Sequence, residues 1–144
     1  MNIQINKIKL NKHNCPEIHL ERWLNNASED SKVTGDSSDE TLTNEMQGLM
    51  PTLIECCCLD EDSWSRDGSV KGLTLKDSDS GIGIVISAQM KVSDSDGAYV
   101  VNINSPYLSS ERLAGSEEMQ VKRIQKAAKD YLDSLPQQGD LFAA

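Results

Sequence analysis

The amino-acid sequence predicts an α+β domain, with an antiparallel sheet of three to five strands around a central three-stranded meander. One helix is expected before the meander and one C-terminal helix after it. Two patterns favour this class. Apolar side chains alternate with polar ones between residues 70 and 103, the period of half-buried strands. They recur every three or four residues over 41–58 and 116–135, the period of amphipathic helices.

The first part of the chain predicts two strands. Apolar residues alternate over 2–11, with one change of phase between Ile5 and Ile8 that a β-bulge explains. Pro16 then restarts the chain, and Ile18 and Leu20 face one way while their neighbours face the other, which permits a second short strand. A helical turn is the alternative for this second segment.

A polar stretch follows at about 25–40. Its only apolar side chains are Ala27 and Val33, so it buries too little surface to repay the entropy of ordering and is expected to be a mobile acidic loop.

The next segment predicts an amphipathic helix over about 41–58. Thr41 or Thr43 can cap its start, and Pro51 is expected to kink the helix or restart it. Its apolar stripe comprises Leu42, Met46, Leu49, Met50, Leu53 and Ile54.

Residues 70–103 predict the three-stranded meander. The strands are expected near 70–75, 82–92 and 99–103. The connections at 77–81 and 93–97 are rich in Asp and end in Gly, the residues that tight turns require for left-handed backbone angles.

A final helix is predicted over about 116–135. Ser116 can cap it, and Glu117 and Glu118 place negative charge at its positive end. Pro136 ends it. Its apolar stripe is Val121, Ile124, Ala128, Tyr131 and Leu135. The sequence thus predicts a single domain over 1–136 and a flexible tail over 137–144.

Composition and charge narrow the classes of function. The formal net charge is -9, and residues 26–67 alone carry -9. An acidic protein repels phosphate, so no direct contact with nucleic acid is expected, and the lysines at 7, 9 and 12 and on the last helix are interpreted as solvated surface. The sequence contains no apolar run of membrane-spanning length and no signal peptide, so a cytoplasmic protein without membrane contact is expected.

No catalytic, cofactor or metal site is predicted. Cys56, Cys57 and Cys58 are contiguous, which suits reduced thiols better than a disulfide framework, and their spacing with His13 and His19 is poor for zinc. The Asp-x-Asp turns lack the rest of a calcium loop. No nucleophile motif accompanies the two histidines, so the chain is not expected to be an enzyme.

The segment Gln138-Gly139-Asp140-Leu141-Phe142 is the one motif that indicates a partner. It resembles the linear motif with which many bacterial and phage proteins bind the DNA polymerase sliding clamp. The resemblance covers five residues and implies that Gln138 makes polar contacts at the pocket edge while Leu141 and Phe142 fill a hydrophobic cleft. Asp140 occupies a position where Ser or Asp is common, and Gly139 departs from the Leu often found there.

The whole layout, from the polar insertion through the meander to the Gly-Asp-Leu-Phe tail, resembles that of small uncharacterised phage and prophage proteins, which implies no known activity. The resemblance of the tail implies a non-enzymatic adaptor that docks on the sliding clamp to recruit or modulate replication or repair factors. Alternatively, Leu141 and Phe142 fold back beside Tyr131 or Leu135 to complete the core, or the tail is simply disordered.

An acidic DNA mimic that blocks a DNA-binding protein is the alternative of another class, because regularly held carboxylates can imitate phosphates. The residues that would serve are Glu29, Asp30, Asp36, Asp39, Glu40, Glu55, Asp60, Glu61, Asp62 and Asp67. Mimicry requires rigid spacing, whereas half of these fall in the predicted mobile loop.

Overall fold

A computed structural model describes residues 2–24, 27–78 and 81–135. In this part of the chain, six antiparallel strands form one sheet in the order β3-β2-β1-β4-β5-β6. The elements are β1 (Asn2–Leu10), β2 (Pro16–Leu24), β3 (Ala27–Thr34), α1 (Glu40–Gln47), α2 (Met50–Cys57), α3 (Glu61–Asp67), β4 (Gly68–Ser78), β5 (Gly81–Asp94), β6 (Gly97–Asn104) and α4 (Gly115–Ser134). The α+β class is confirmed, but the predicted limit of five strands is wrong.

The sheet consists of two three-stranded meanders joined side by side. The meander predicted from residues 70–103 forms β4, β5 and β6, and it makes up one half of the sheet rather than its centre. β1, β2 and β3 form the other half. The halves meet where β1 pairs antiparallel with β4, through Lys7 with Thr74, Ile8 with Leu73 and Lys9 with Gly72.

The first two strands agree with the sequence. The register of β1 with β2 shifts between Ile5 and Lys7, so the bulge predicted from the change of phase is confirmed. Residues 16–24 form a strand and not a helical turn.

The expectation of a loop over residues 25–40 is wrong for residues 27–34, which form the edge strand β3. Every residue of β3 pairs with β2, from Glu17 with Thr34 to Leu24 with Ala27. Only Val33 of this strand is buried. The strand therefore depends on the main-chain ladder and on cross-strand pairs, and a composition argument based on apolar burial misses it.

The predicted helix over 41–58 is divided into α1 and α2. The break falls at Gly48 and Leu49, and Pro51 lies in the first turn of α2, where a missing N–H costs nothing, so the helix restarts at this proline rather than kinking. Asp39 caps α1 by accepting a hydrogen bond from the Leu42 amide at 2.8 Å, so neither predicted threonine is the cap. The short helix α3 follows and was not predicted.

The turn between β5 and β6 is as predicted. Asp94 pairs with Gly97, and Gly97 has a φ of 127°, a backbone angle that favours glycine. The turn between β4 and β5 includes residues 79 and 80, which lie outside the described residues. Its last residue, Gly81, also has a φ of 127°.

The C-terminal helix α4 begins one residue earlier than predicted. Ala114 is its N-cap residue, and the Glu117 carboxylate accepts a hydrogen bond from the Ala114 amide at 2.8 Å, so Ser116 is not the cap. The predicted stripe is confirmed at Val121, Ile124 and Ala128 together with Tyr131, all of which are buried, whereas Leu135 is only partly buried.

One face of the sheet carries the core. By register, Ile8, Ile18, Leu20, Leu73 and Ile86 point to the same side, where they are buried in one cluster. That cluster includes helix residues such as Leu42, Leu53 and Ile124. The alternate strand positions form the opposite face, which we call the open face.

Candidate functional site

A row of basic side chains crosses the open face. Lys32 of β3 pairs with His19 of β2, His19 with Lys7 of β1, and Lys7 with Thr74 of β4. Directly paired residues project to the same side of a sheet with their Cβ atoms about 5 Å apart. These side chains therefore stand next to one another on the open face, although they are distant in sequence.

Further lysines belong to the same face. Lys9 and Lys76 lie two residues from Lys7 and Thr74 on their strands, and Lys91 follows the same alternation on β5. Six of the ten lysines in the chain are thereby gathered on or beside this face. We name this set the lysine face: Lys7, Lys9, Lys32, Lys71, Lys76 and Lys91.

Lys71 is held where the register of β4 with β5 shifts. Its Nζ donates a hydrogen bond to the Asn14 side-chain oxygen at 2.7 Å. Partial burial lowers the pKa of Lys71, and the positive charge of Lys91 lowers it further. Two like charges therefore repel each other at this end of the lysine face.

The carboxylates of the open face lie towards β2 and β3. Glu17 contacts His19 Nε2 at 2.8 Å and Lys32 Nζ at 3.8 Å, and the hydrogen bond with His19 is the main cause that lowers the pKa of Glu17. Within the described residues, Lys7, Lys9, Lys76 and Lys91 take part in no ion pair. Lys9 faces Glu17 across β1 and β2 and helps to lower the pKa of Glu17, so the positive charge is least compensated at Lys7, Lys76 and Lys91.

An aromatic ring completes the open face. The main-chain groups of Ile84 and Leu108 exchange two hydrogen bonds of 2.8 Å, which fix the segment after β6. The neighbouring Tyr107 ring then occupies the space above Gly83 that a side chain there would take. Lys76 Nζ lies 5.8 Å from the ring centroid, and the ring is 41% exposed.

A shallow groove of about 560 Å³ runs along this surface. Its charged and titratable lining residues are Lys7, His19, Asp30, Lys32 and Lys76. In this lining three lysines outnumber one carboxylate, and the groove is open to solvent, which suits an extended anionic ligand better than an enclosed small molecule.

The sequence alone did not reveal the lysine face. It suggested a small basic edge at Lys7, Lys9 and Lys12 and a basic face on the last helix, because Lys32, Lys76 and Lys91 join the lysines of β1 on one face only through the strand order. The available signal was the alternation itself: the lysines of β1 and the last lysine of β4 occupy the polar phase of strands whose other phase is buried.

The docking residues predicted from the sequence, namely Gln138, Asp140, Leu141 and Phe142, lie outside the described residues. The nearest described residue is Leu135, which follows the last residue of α4 in an extended conformation.

The acidic residues considered for DNA mimicry are partly engaged in local structure. Asp39 and Asp60 cap α1 and α3, and hydrogen bonds from the Ser63 side chain and amide lower the pKa of Asp60. Glu29 on β3 pairs with Arg22 at 3.1 Å. β3 thus supplies the rigid support that the sequence did not predict for Glu29, but caps and ion pairs direct these carboxylates toward the protein's own groups.

The three adjacent cysteines end α2. Cys56 and Cys57 are partly buried with their Sγ atoms 3.7 Å apart, while Cys58 is exposed. Burial, and next the contact with Cys57, raises the pKa of Cys56 to about 11. In the described part of the chain, no group of three potential ligand side chains is arranged to hold a metal ion.

The chain matches no protein-family model, no curated protein and no solved structure. Among the helices that the structure describes, none has the length and apolar character to cross a membrane.

Proposed function

We propose that this protein is a non-enzymatic adaptor of phage or prophage type that docks on the bacterial DNA polymerase sliding clamp through residues 138–142. The observation that carries the proposal is the string Gln138-Gly139-Asp140-Leu141-Phe142, placed shortly after α4 ends at Ser134. In this scheme the domain is tethered to the clamp, where it recruits or modulates replication or repair factors.

The chemistry of the motif supports this role. Leu141 and Phe142 together offer enough apolar area for an affinity on the order of micromolar once the entropy of ordering a short peptide is subtracted. Gln138 and Asp140 add polar groups that orient the peptide. Gly139 favours a segment that adapts to its binding cleft, at some cost in affinity.

The packing of α4 weighs against the alternative in which the tail completes the core beside Tyr131. The Tyr131 ring already packs against Gly35, and its hydroxyl donates a hydrogen bond to the Ser37 carbonyl at 3.1 Å. The side chain is 4% exposed. Tyr131 is therefore satisfied by residues before α1, and a docking role for Leu141 and Phe142 is favoured over packing on this ring.

Clamp binding is tested by fluorescence anisotropy with a labelled peptide of residues 134–144 and a purified bacterial sliding clamp. We expect saturable binding with a Kd on the order of 10 μM. In competition with this peptide, the full chain should displace it, whereas the chain with Leu141→Ala and Phe142→Ala should not.

A matched control removes equivalent apolar groups from the body. Tyr99 and Val100 on β6 are 52% and 47% exposed, so Tyr99→Ala with Val100→Ala should leave competition intact. Absence of peptide binding at clamp concentrations well above the micromolar range, or full competition by the Leu141→Ala/Phe142→Ala chain, would refute the proposal.

A further inference from the structure

The charge of the lysine face is opposite to that of the whole chain. The formal net charge is -9, yet Lys7, Lys76 and Lys91 lie on three adjacent strands and take part in no ion pair among the described residues, while Lys9 faces Glu17 across β1 and β2. Dispersed lysines need no explanation beyond solubility. A concentration of lysines on one face of the sheet of an acidic protein is the electrostatic pattern of a surface that receives an anion.

The electrostatic interaction between Lys71 and Lys91 also indicates a surface that binds an anion. These two lysines are close enough for the charge of one to affect the other, and Lys71 is partly buried and anchored by Asn14. Repulsion between the two like charges raises the energy of the unliganded surface. A phosphate bound between them would remove this repulsion.

The shape of the face and the Tyr107 ring select the kind of polyanion. The open face is a sheet surface, and in the described residues no helix packs on it that could enter a duplex groove. Tyr107 lies on that surface with 41% of its area exposed, and Lys76 Nζ lies over its ring at 5.8 Å from the centroid. Proteins that bind single-stranded nucleic acid combine a row of cations along the phosphate backbone with an aromatic ring on which a base stacks.

We infer that the lysine face, with Tyr107 as a stacking platform, binds single-stranded nucleic acid without sequence preference. The inference departs from the sequence-based expectation of no nucleic-acid contact, which rested on net charge. It does not depend on clamp docking, because the tail segment contributes none of these residues.

Binding is measured by fluorescence anisotropy of a labelled oligothymidylate of about twelve nucleotides with the full chain. At about 50 mM salt we expect a Kd on the order of 10 μM. Three to five phosphate contacts predict that log K falls with log salt at a slope between about -2 and about -3.5.

A charge-removal variant and a matched control locate the site. Lys7→Gln/Lys76→Gln/Lys91→Gln should weaken binding at least about tenfold and reduce the salt slope. Lys122→Gln/Lys126→Gln/Lys129→Gln removes the same charge from exposed positions of α4 and should change Kd less than about twofold. Circular dichroism and thermal unfolding of both variants verify that the fold is retained.

The aromatic contribution has its own pair of variants. Tyr107→Leu keeps an apolar cover over Gly83 and should weaken binding about fivefold, because one stacked base is lost. Tyr99→Leu changes a ring that is 52% exposed and that projects, by its pairing with Val92, to the opposite face of the sheet, so it should leave Kd unchanged.

The inference is overturned by absence of binding at about 50 mM salt, by equal losses in the two lysine variants, or by duplex DNA or polyglutamate binding as tightly as the single strand. The Leu141→Ala/Phe142→Ala chain separates the two proposals, because it should lose the clamp and retain the oligonucleotide.

Discussion

The Tyr131 hydroxyl donates a hydrogen bond to the main-chain carbonyl of Ser37 at 3.1 Å, and thereby connects α4 to the segment between β3 and α1. The contact joins residues 94 positions apart. Gly35 makes it possible, because the Tyr131 ring occupies the space into which a side chain at residue 35 would project.

Gly35→Ala should therefore destabilise the protein. The added methyl group collides with the buried Tyr131 ring, so the expected loss is about 1 to 3 kcal/mol of the free energy of unfolding. Urea denaturation measures it. Gly115→Ala is the control, since nothing lies within 4 Å of its added Cβ, and it should be neutral or slightly stabilising. Equal stability of the two variants would contradict the packing described.

Cys58→Gly should stabilise the protein. Cys58 ends α2 in a left-handed conformation with φ 53° and ψ 45°, where a Cβ is unfavourable and glycine is preferred. The side chain is exposed, so little packing is lost. We expect a gain of about 0.5 to 1 kcal/mol in urea denaturation.

A change to glycine one turn earlier, at Glu55, should have the opposite effect on stability. Glu55 is exposed within α2, and Glu55→Gly should cost about 1 kcal/mol because glycine is a poor helix former there. A loss of stability in Cys58→Gly as large as that in Glu55→Gly would argue against the left-handed cap.

Gln47→Ala should destabilise the junction of α1 with β4. The Gln47 side chain accepts a hydrogen bond from the Val70 amide at 2.8 Å and donates one to the Val70 carbonyl at 3.0 Å. Val70 is fully buried, and the pairing of β4 with β1 stops at Gly72. The Gln47 side chain therefore satisfies the main-chain amide and carbonyl of Val70 in place of a strand partner. Leaving these groups unpaired should cost about 1 to 3 kcal/mol. Asn44→Ala on the exposed side of α1 should cost less than about 0.5 kcal/mol.

Cys56 should react slowly with iodoacetamide in the folded protein. Because its pKa is raised to about 11 from 9.0, at pH 9 it holds roughly fiftyfold less thiolate than an ordinary thiol. Mass-spectrometric mapping should find Cys58 modified before Cys56, and in urea the two should react alike. Rapid modification of Cys56 in the folded protein would contradict its burial.

The same shift has a consequence for stability. Folding favours the protonated form of Cys56, so its contribution is complete below pH 9 and is lost as the pH rises towards about 11. Removing the thiol in Cys56→Ala should flatten the decline of stability in this window, as followed by urea denaturation at each pH.

The predictable parts of this fold are those that local patterns determine. The alternation over residues 70–103, the bulge after Ile5 and the stripe of α4 follow from the burial of every second or every third and fourth side chain. β3 was missed because its stability depends on pairing with β2, which a count of apolar residues does not register. Asp39 was missed as a cap because two threonines stood closer to the apolar stripe.

Local sequence patterns could not predict the lysine face, because it depends, like β3, on which strands pair. Lys32 and Lys7 flank His19 only because β2 lies between β3 and β1, and Lys76 joins them through the pairing of β1 with β4. The docking motif at 138–142 is the reverse case. It can be recognised from the sequence, because the residues of a linear motif that contact the partner are close together in the chain.

Docking through the tail is tested most directly by titrating the isotope-labelled full chain with unlabelled sliding clamp. The amide resonances are followed in two-dimensional NMR spectra. Docking through the tail predicts that the resonances of residues 137–144 shift or broaden first, while those of β1, β4 and β5 keep their positions. Unchanged tail resonances at clamp concentrations well above the micromolar range, or changes confined to the body, would contradict it.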